Sequence, residues 1–371
     1  MMREELEIKT QRIVEMLHDE NLDGVLLNAQ HNFAWATCGG TNGVDQSREN
    51  GVANLLFCKD GRRFVLANNI ESQRMLDEQL PDNSFESVVY SWQEEKASGD
   101  LAIETARKIA DTNIATDIPM HISASAVESK IAPLRFELTD AEKVRYRELG
   151  RDAANALRET ILSVLPGQSE MQIAETMRCK LGKVNATAVV ALVAADERIS
   201  QFRHPVPTAK VWEKMLMVVA CAKRDGLIVN LTRMVCVGEI PTELSNKTNA
   251  AAFINAKLWS ATRPGVSSRE LYEIAANAYK ETGFGDEIDL HHQGGATGYR
   301  TRDWVANPAG KDVVVPDQAF AWNPSITGTK VEETMCLNGD VPEVITLSGE
   351  SSTIIHTIDG AEYIVSGIVS V

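Results

Sequence analysis

Apolar positions change period along the chain, and each change predicts an element. Leu6, Ile13, Val14 and Leu17 recur at helical spacing and lead into Gly24-Val25-Leu26-Leu27, a short unbroken apolar run of the kind a buried strand shows. Two further strand runs, 52–58 and 63–67, flank Lys59-Asp60-Gly61, a hairpin turn signal. Helical periodicity at 71–79 and 101–110 brackets a strand at 87–90. Together these predict a small α/β domain over 1–137, an ordinary domain length.

Thr139 followed by Glu142 forms a capping-box pattern, which opens a long amphipathic helix and sets the domain boundary. Pro166-Gly167 stops that helix and Ser169 opens the next. From there the pattern predicts strands at 188–194, 215–222 and 227–237, then helices at 247–259 and 268–282. Strand-like stretches follow at 320–323, 330–337, 344–347, 352–356 and 363–368. Helices grouped before and between antiparallel strands predict an α+β second domain over 138–371 rather than a doubly wound sheet.

Composition narrows the function classes. A formal net charge of −15 over 371 residues argues against nucleic acid as a partner, because phosphate binding needs clustered Lys and Arg. No apolar run approaches membrane-spanning length, and the charged start Arg3-Glu4-Glu5 has no apolar signal core, so a cytoplasmic location is expected. Six scattered cysteines without a C-x-x-C pair predict reduced, buried thiols.

Several polar clusters occur in a telling order: Phe202-Arg203-His204-Pro205, Gly226 to Arg233, His291-His292-Gln293-Gly294-Gly295, Asn323-Pro324-Ser325, and Val331-Glu332-Glu333. In that order, with Pro166-Gly167 before them, they resemble the creatinase/aminopeptidase P/methionine aminopeptidase family over nearly the whole chain. The resemblance implies a pita-bread second domain behind a creatinase-type first domain, and hydrolysis of a C–N bond. Metal-dependent members hold two divalent ions with two Asp, one His and two Glu. Those positions fall here on Val219, Asn230, Gly295, Asn323 and Glu332. Val and Gly have no ligand atom, and neutral amides cannot balance two dications, so no metal pair and no cofactor is expected.

The remaining polar set implies different chemistry. By analogy with creatinase, which lacks a metal, His204 is expected to be a general acid/base, a role that suits imidazole. Glu332 is expected to orient or charge-balance it, with Arg233 or Lys330 as the partner that a buried carboxylate needs. Alternation along one strand should point Glu332 and Glu333 to opposite faces. Asn230, His291, Arg233 and Asn323 are expected to contact substrate, and Arg302 to clamp a carboxylate bidentately. Gly294-Gly295 reads as a close backbone approach, with main-chain N–H groups free to meet a ligand. Asn32, Phe33, Trp35 and Arg48 lie in a loop like the one that closes a neighbour's site in creatinase-type dimers; an aromatic cluster of that kind is more often core. The expectation is a homodimeric, metal-independent hydrolase of a small amide, amidine or short peptide. The alternatives are a non-catalytic relative that binds a small ligand, peptide or protein, and a metallopeptidase with a non-standard metal site.

Overall fold

The computed structural model describes residues 2–119, 121, 123–347, 349 and 352–371. The chain divides into two compact units, Met1–Glu142 with Asp225–Leu227, and Lys143–Arg224 with Ile228–Val371. No described helix is long and apolar enough to cross a membrane.

The first unit is built on strands β1 (Gly24–Ala29), β2 (Asn50–Cys58), β3 (Arg63–Asn68), β4 (Glu86–Tyr90) and β5 (Ile114–Thr116). They form one sheet in the order β4-β3-β2-β1-β5, with β2 antiparallel to both its neighbours and the outer pairings parallel. Leu26, Leu56, Phe64 and Leu66 from this sheet pack on Ala102, Ile103 and Ala106 of the amphipathic helix Leu101–Ala110. The segment 71–79 is a single turn, Ser72–Arg74, passing into a π-helical turn, Met75–Gln79. The segment around Asn32 is a helix, Gln30–Ala36, rather than a loop. Phe33 and Trp35 are wholly buried in it, so they are core residues, while Arg48 is exposed and paired with Asp45.

Asn32 belongs to a buried polar network. Its amide donates to Asp117 at 3.0 Å and to Glu128 at 2.7 Å, and Glu128 also pairs with Arg135 and His31. Burial alone would raise the Glu128 carboxyl, but the His31 hydrogen bond, the Arg135 charge and the Asn32 amide outweigh it and hold it at about 2. A carboxylate depressed in the folded state stabilises fully above its unfolded value, and that stability is lost as pH falls through the folded one. Acid titration below pH ~4.5 is therefore expected to remove on the order of 2–3 kcal/mol through this group. Urea midpoints of wild type and Glu128→Gln should converge as the pH approaches 2. Parallel curves over that window would show that the network carries no such linkage.

The second unit holds β6 (Thr187–Ala195), β7 (Met215–Arg224), β8 (Leu227–Cys236), β9 (Gly294–Thr297), β10 (Trp304–Val305), β11 (Ala319–Trp322), β12 (Ser325–Ile326), β13 (Thr329–Lys330), β14 (Glu333–Asn338), β15 (Val341–Val344), β16 (Thr353–Ile358), β17 (Ala361–Ser366) and β18 (Ile368–Ser370). One sheet runs β18-β8-β7-β6, another β10-β9-β11-β14-β15, and β12-β13 and β16-β17 are hairpins. Long helices Asp140–Ser163, Glu170–Gly182, Thr242–Ala261 and Ser268–Glu281 accompany them. The fold is α+β. The predicted box at Thr139 is present, with Thr139 N–H and hydroxyl donating to Glu142 at 2.8 and 2.9 Å. None of the six cysteines is in a disulfide, and five are buried; Cys179 is exposed, against expectation.

Candidate functional site

Strand β8 and the link between β13 and β14 supply the buried half of the site. β8 is buried along its whole length, so the parity of a residue decides which way its side chain points. Thr232 lies on one face and its hydroxyl donates to Glu332 at 2.8 Å. Asn230, two residues earlier, shares that face. Arg233 lies on the other, where its guanidinium pairs with Glu333 at 2.8 Å and donates to the carbonyls of Thr232 and Thr346. Arg233 is thus a buried structural cation and not a substrate contact.

Glu332 itself is not on a strand. Val331 and Glu332 sit between β13 and β14, and the Glu332 carbonyl accepts from Thr232 N–H at 3.1 Å. Its carboxylate takes Lys330 at 2.9 Å and Arg302 at 3.2 Å, with side-chain exposures of 3% for the acid, 5% for the lysine and 15% for the arginine. Burial would raise this carboxyl, but the charges of Lys330 and Arg302, with hydrogen bonds from Lys330 and Thr232, hold it at about 2. So firmly ionised a group is a poor proton carrier. It holds two cations in place, and the row carries one positive charge more than it neutralises.

The second half is a group of imidazoles. His204 and His291 meet at 3.1 Å between their Nε2 atoms, and His291 stacks on His292 with ring centroids 4.5 Å apart. His204 and His292 are exposed and His291 is half-buried. The loop bearing His204 is anchored by Arg203, which bonds Glu287 and Thr327, and by the Pro205 carbonyl, which accepts from Val193 N–H. The segment bearing His291 is anchored by Gln293, whose amide donates to the His291 carbonyl and accepts from Tyr279 at 2.6 Å. Burial and then the Lys330 charge lower the basicity of His204; the same two causes bring His291 to about 2. His292 falls to about 4 through burial, Arg302 and Lys330. All three rings are neutral near pH 7. The partner of His204 is His291 rather than Glu332, which revises the expected orienting role of the carboxylate.

Asn230 and Asn323 are almost fully buried. Asn230 donates to Thr297 at 3.1 Å, yet the side-chain oxygens of both residues have no partner among the described residues, nor does the Arg302 Nε. Val219 lies in an apolar cluster with Leu192, Ala194, Met217, Met234 and Cys236. Gly294 has φ +100, and a Cβ there would lie 2.1 Å from the Ala321 carbonyl; one on Gly295 would lie 2.1 Å from the Trp304 carbonyl. These glycines allow β9 to fit between β10 and β11, so their close approach is to neighbouring strands rather than to a ligand.

A pita-bread frame with this order of motifs defines a peptidase-type hydrolase scaffold. Residues 144–362 match the model of metallopeptidase family M24, and the chain belongs to that family. Among curated protein sequences none matches this chain. Solved structures similar in fold include the Xaa-Pro dipeptidase from Bacillus anthracis, 18% identical with TM-score 0.73 over 99% of this chain and 100% of that one. The X-Pro aminopeptidase from Thermotoga maritima is 16% identical, TM-score 0.76, over 98% and 99%. The N-terminal domain of FACT complex subunit SPT16 from chickpea (Cicer arietinum) is 11% identical, TM-score 0.71, over 93% and 97%.

The residues present do not fit a bridged pair of ions. Of the five positions, Val219 belongs to the apolar core, Gly295 has neither a ligand nor room for one, and Asn230 and Asn323 are neutral. Glu332 is already shared by two cations. His292 is the member of the imidazole group that sequence reasoning passed over. Alternation in an extended chain points neighbouring side chains to opposite faces, but the rings of His291 and His292 stack instead.

Proposed function

We propose that this chain hydrolyses a C–N bond in a small amide or short peptide that carries a carboxylate, with His204 as general acid/base. In this reading His204 takes a proton from water as the water oxygen bonds the carbonyl carbon. It returns a proton to the nitrogen as the C–N bond breaks, so atoms and charge balance. His291 positions the His204 ring through the 3.1 Å contact. The substrate carboxylate is drawn to the excess positive charge of Arg302 and Lys330 over Glu332. The buried amide oxygens of Asn230 and Asn323 accept donors from the substrate, since an unmet buried acceptor costs roughly 1–3 kcal/mol. Chemistry then rests on positioning and aligned dipoles, which can supply on the order of 10 kcal/mol. The observation that carries the proposal is the His204–His291 pair beside the Arg302–Glu332–Lys330 row.

A test is amine release from Xaa-Pro dipeptides and N-acyl amino acids by protein stripped with EDTA. Turnover that survives stripping and is not raised by Mn²⁺ is expected. Turnover that appears only with two Mn²⁺ per chain would overturn the proposal. Binding without turnover is the second reading, favoured by the apolar packing around Val219; ligand binding with no product from any probe would establish it.

A further inference from the structure

The three imidazoles form a ligand set of their own, separate from every position at which the family holds its metal pair. One donor atom from each of His204, His291 and His292 lies within 4.8 Å of the other two. A tetrahedral zinc ion with Zn–N bonds of about 2.0–2.1 Å holds its nitrogens roughly 3.3 Å apart. The His204 and His291 nitrogens are already 3.1 Å apart, so only the His292 ring has far to move. That ring is exposed, and one hydrogen bond, from Gly294 N–H to its Nδ1 at 3.2 Å, resists its turning. The other two ligands are held from behind, His204 by the Arg203 and Pro205 anchors and His291 by Gln293 and Tyr279. These contacts fix the main chain rather than the rings: Nδ1 of His291 is buried and has no hydrogen-bond partner among the described residues.

We infer that His204, His291 and His292 bind a single imidazole-preferring divalent ion of the zinc class, and that its binding silences the site. Three neutral nitrogens suit zinc, copper or nickel and not magnesium or calcium, which need oxygen ligands. His204 and His292 are exposed, so solvent reaches the ligand set. Lys330 and Arg302 oppose a dication while Glu332 favours it, so the ion is held reversibly rather than as a permanent structural element. Silencing rests on the reading of His204 above: a nitrogen bonded to a metal has no lone pair left for a proton. A metal that activates other members of this family therefore inhibits here.

The experiment is a titration of stripped full-length protein with Co²⁺, followed by its visible absorption, and with Zn²⁺, followed by calorimetry. One ion per chain with the spectrum of a tetrahedral site is expected, and His292→Ala should weaken binding at least ~10-fold. His292 is exposed, so the variant should fold, and inhibition by zinc relative to its own metal-free rate should be lost. His291→Gln, checked for fold by circular dichroism, gives a second loss of affinity. No binding, two ions per chain, or affinity unchanged in both variants would overturn the site. One bound ion in a protein with no turnover would leave the site standing and remove the hydrolase reading. Turnover without ion binding would do the reverse, and turnover unaffected by a bound ion would remove only the silencing.

Discussion

Glu333→Ala is expected to cost about 3–5 kcal/mol of unfolding free energy, the usual effect of removing one partner from a buried ion pair. Arg233 and Glu333 have side-chain exposures of 1% and 0%, so the guanidinium left behind could not be rescued by solvent. The carboxylate also accepts from the Ser366 hydroxyl at 2.8 Å and the Thr346 hydroxyl at 2.7 Å. It therefore ties β8 and β14 to β17, and its loss leaves those donors unmet as well. Glu333→Gln keeps the volume and part of the hydrogen bonding, so a smaller loss is expected than for alanine. Urea unfolding checks both, and a midpoint shift equivalent to less than about 1 kcal/mol for the alanine variant would show that the pair is replaceable. Function should suffer with stability. Glu332 and Thr232 are the chain neighbours of this pair, and the brace fixes where they meet.

Much of this architecture is legible in local pattern. The apolar runs that become β7 and β8, the Lys59-Asp60-Gly61 turn, and the Thr139–Glu142 box are each specified by residues within one or two turns of each other. Parity along β8 also separates Asn230 and Thr232 from Arg233, so the structural role of Arg233 could have been read from the alternation already applied to Glu332 and Glu333. Two things lay beyond local pattern. The break between β13 and β14 depends on Thr232 claiming the Glu332 carbonyl across a hundred residues of sequence. The joining of His204 to His291 and His292 depends on anchors at Glu287, Thr327 and Tyr279, none of which has a signal of its own.

The charge arithmetic supports the proposed reading of the site. One buried carboxylate, Glu332, is neutralised by Lys330 and Arg302. Asn230 and Asn323 are buried neutral amides, and Val219 lies in the apolar cluster. A buried row with excess positive charge attracts an anion, and neutral imidazoles beside it can accept a proton.

His204→Ala is expected to lower kcat by roughly 10²–10⁴-fold, the range for removal of a general acid/base, with little change in KM. The ring is exposed and its hydrogen bond is to His291, so fold and thermal midpoint should be kept. Arg302→Ala should do the opposite. Lys330 remains to neutralise Glu332, so the variant folds, but the row loses its excess charge and KM rises with kcat less affected. The two variants thus separate proton transfer from carboxylate recognition in steady-state kinetics. Equal losses of kcat in both, or a His204 variant as active as wild type, would place the chemistry on other residues.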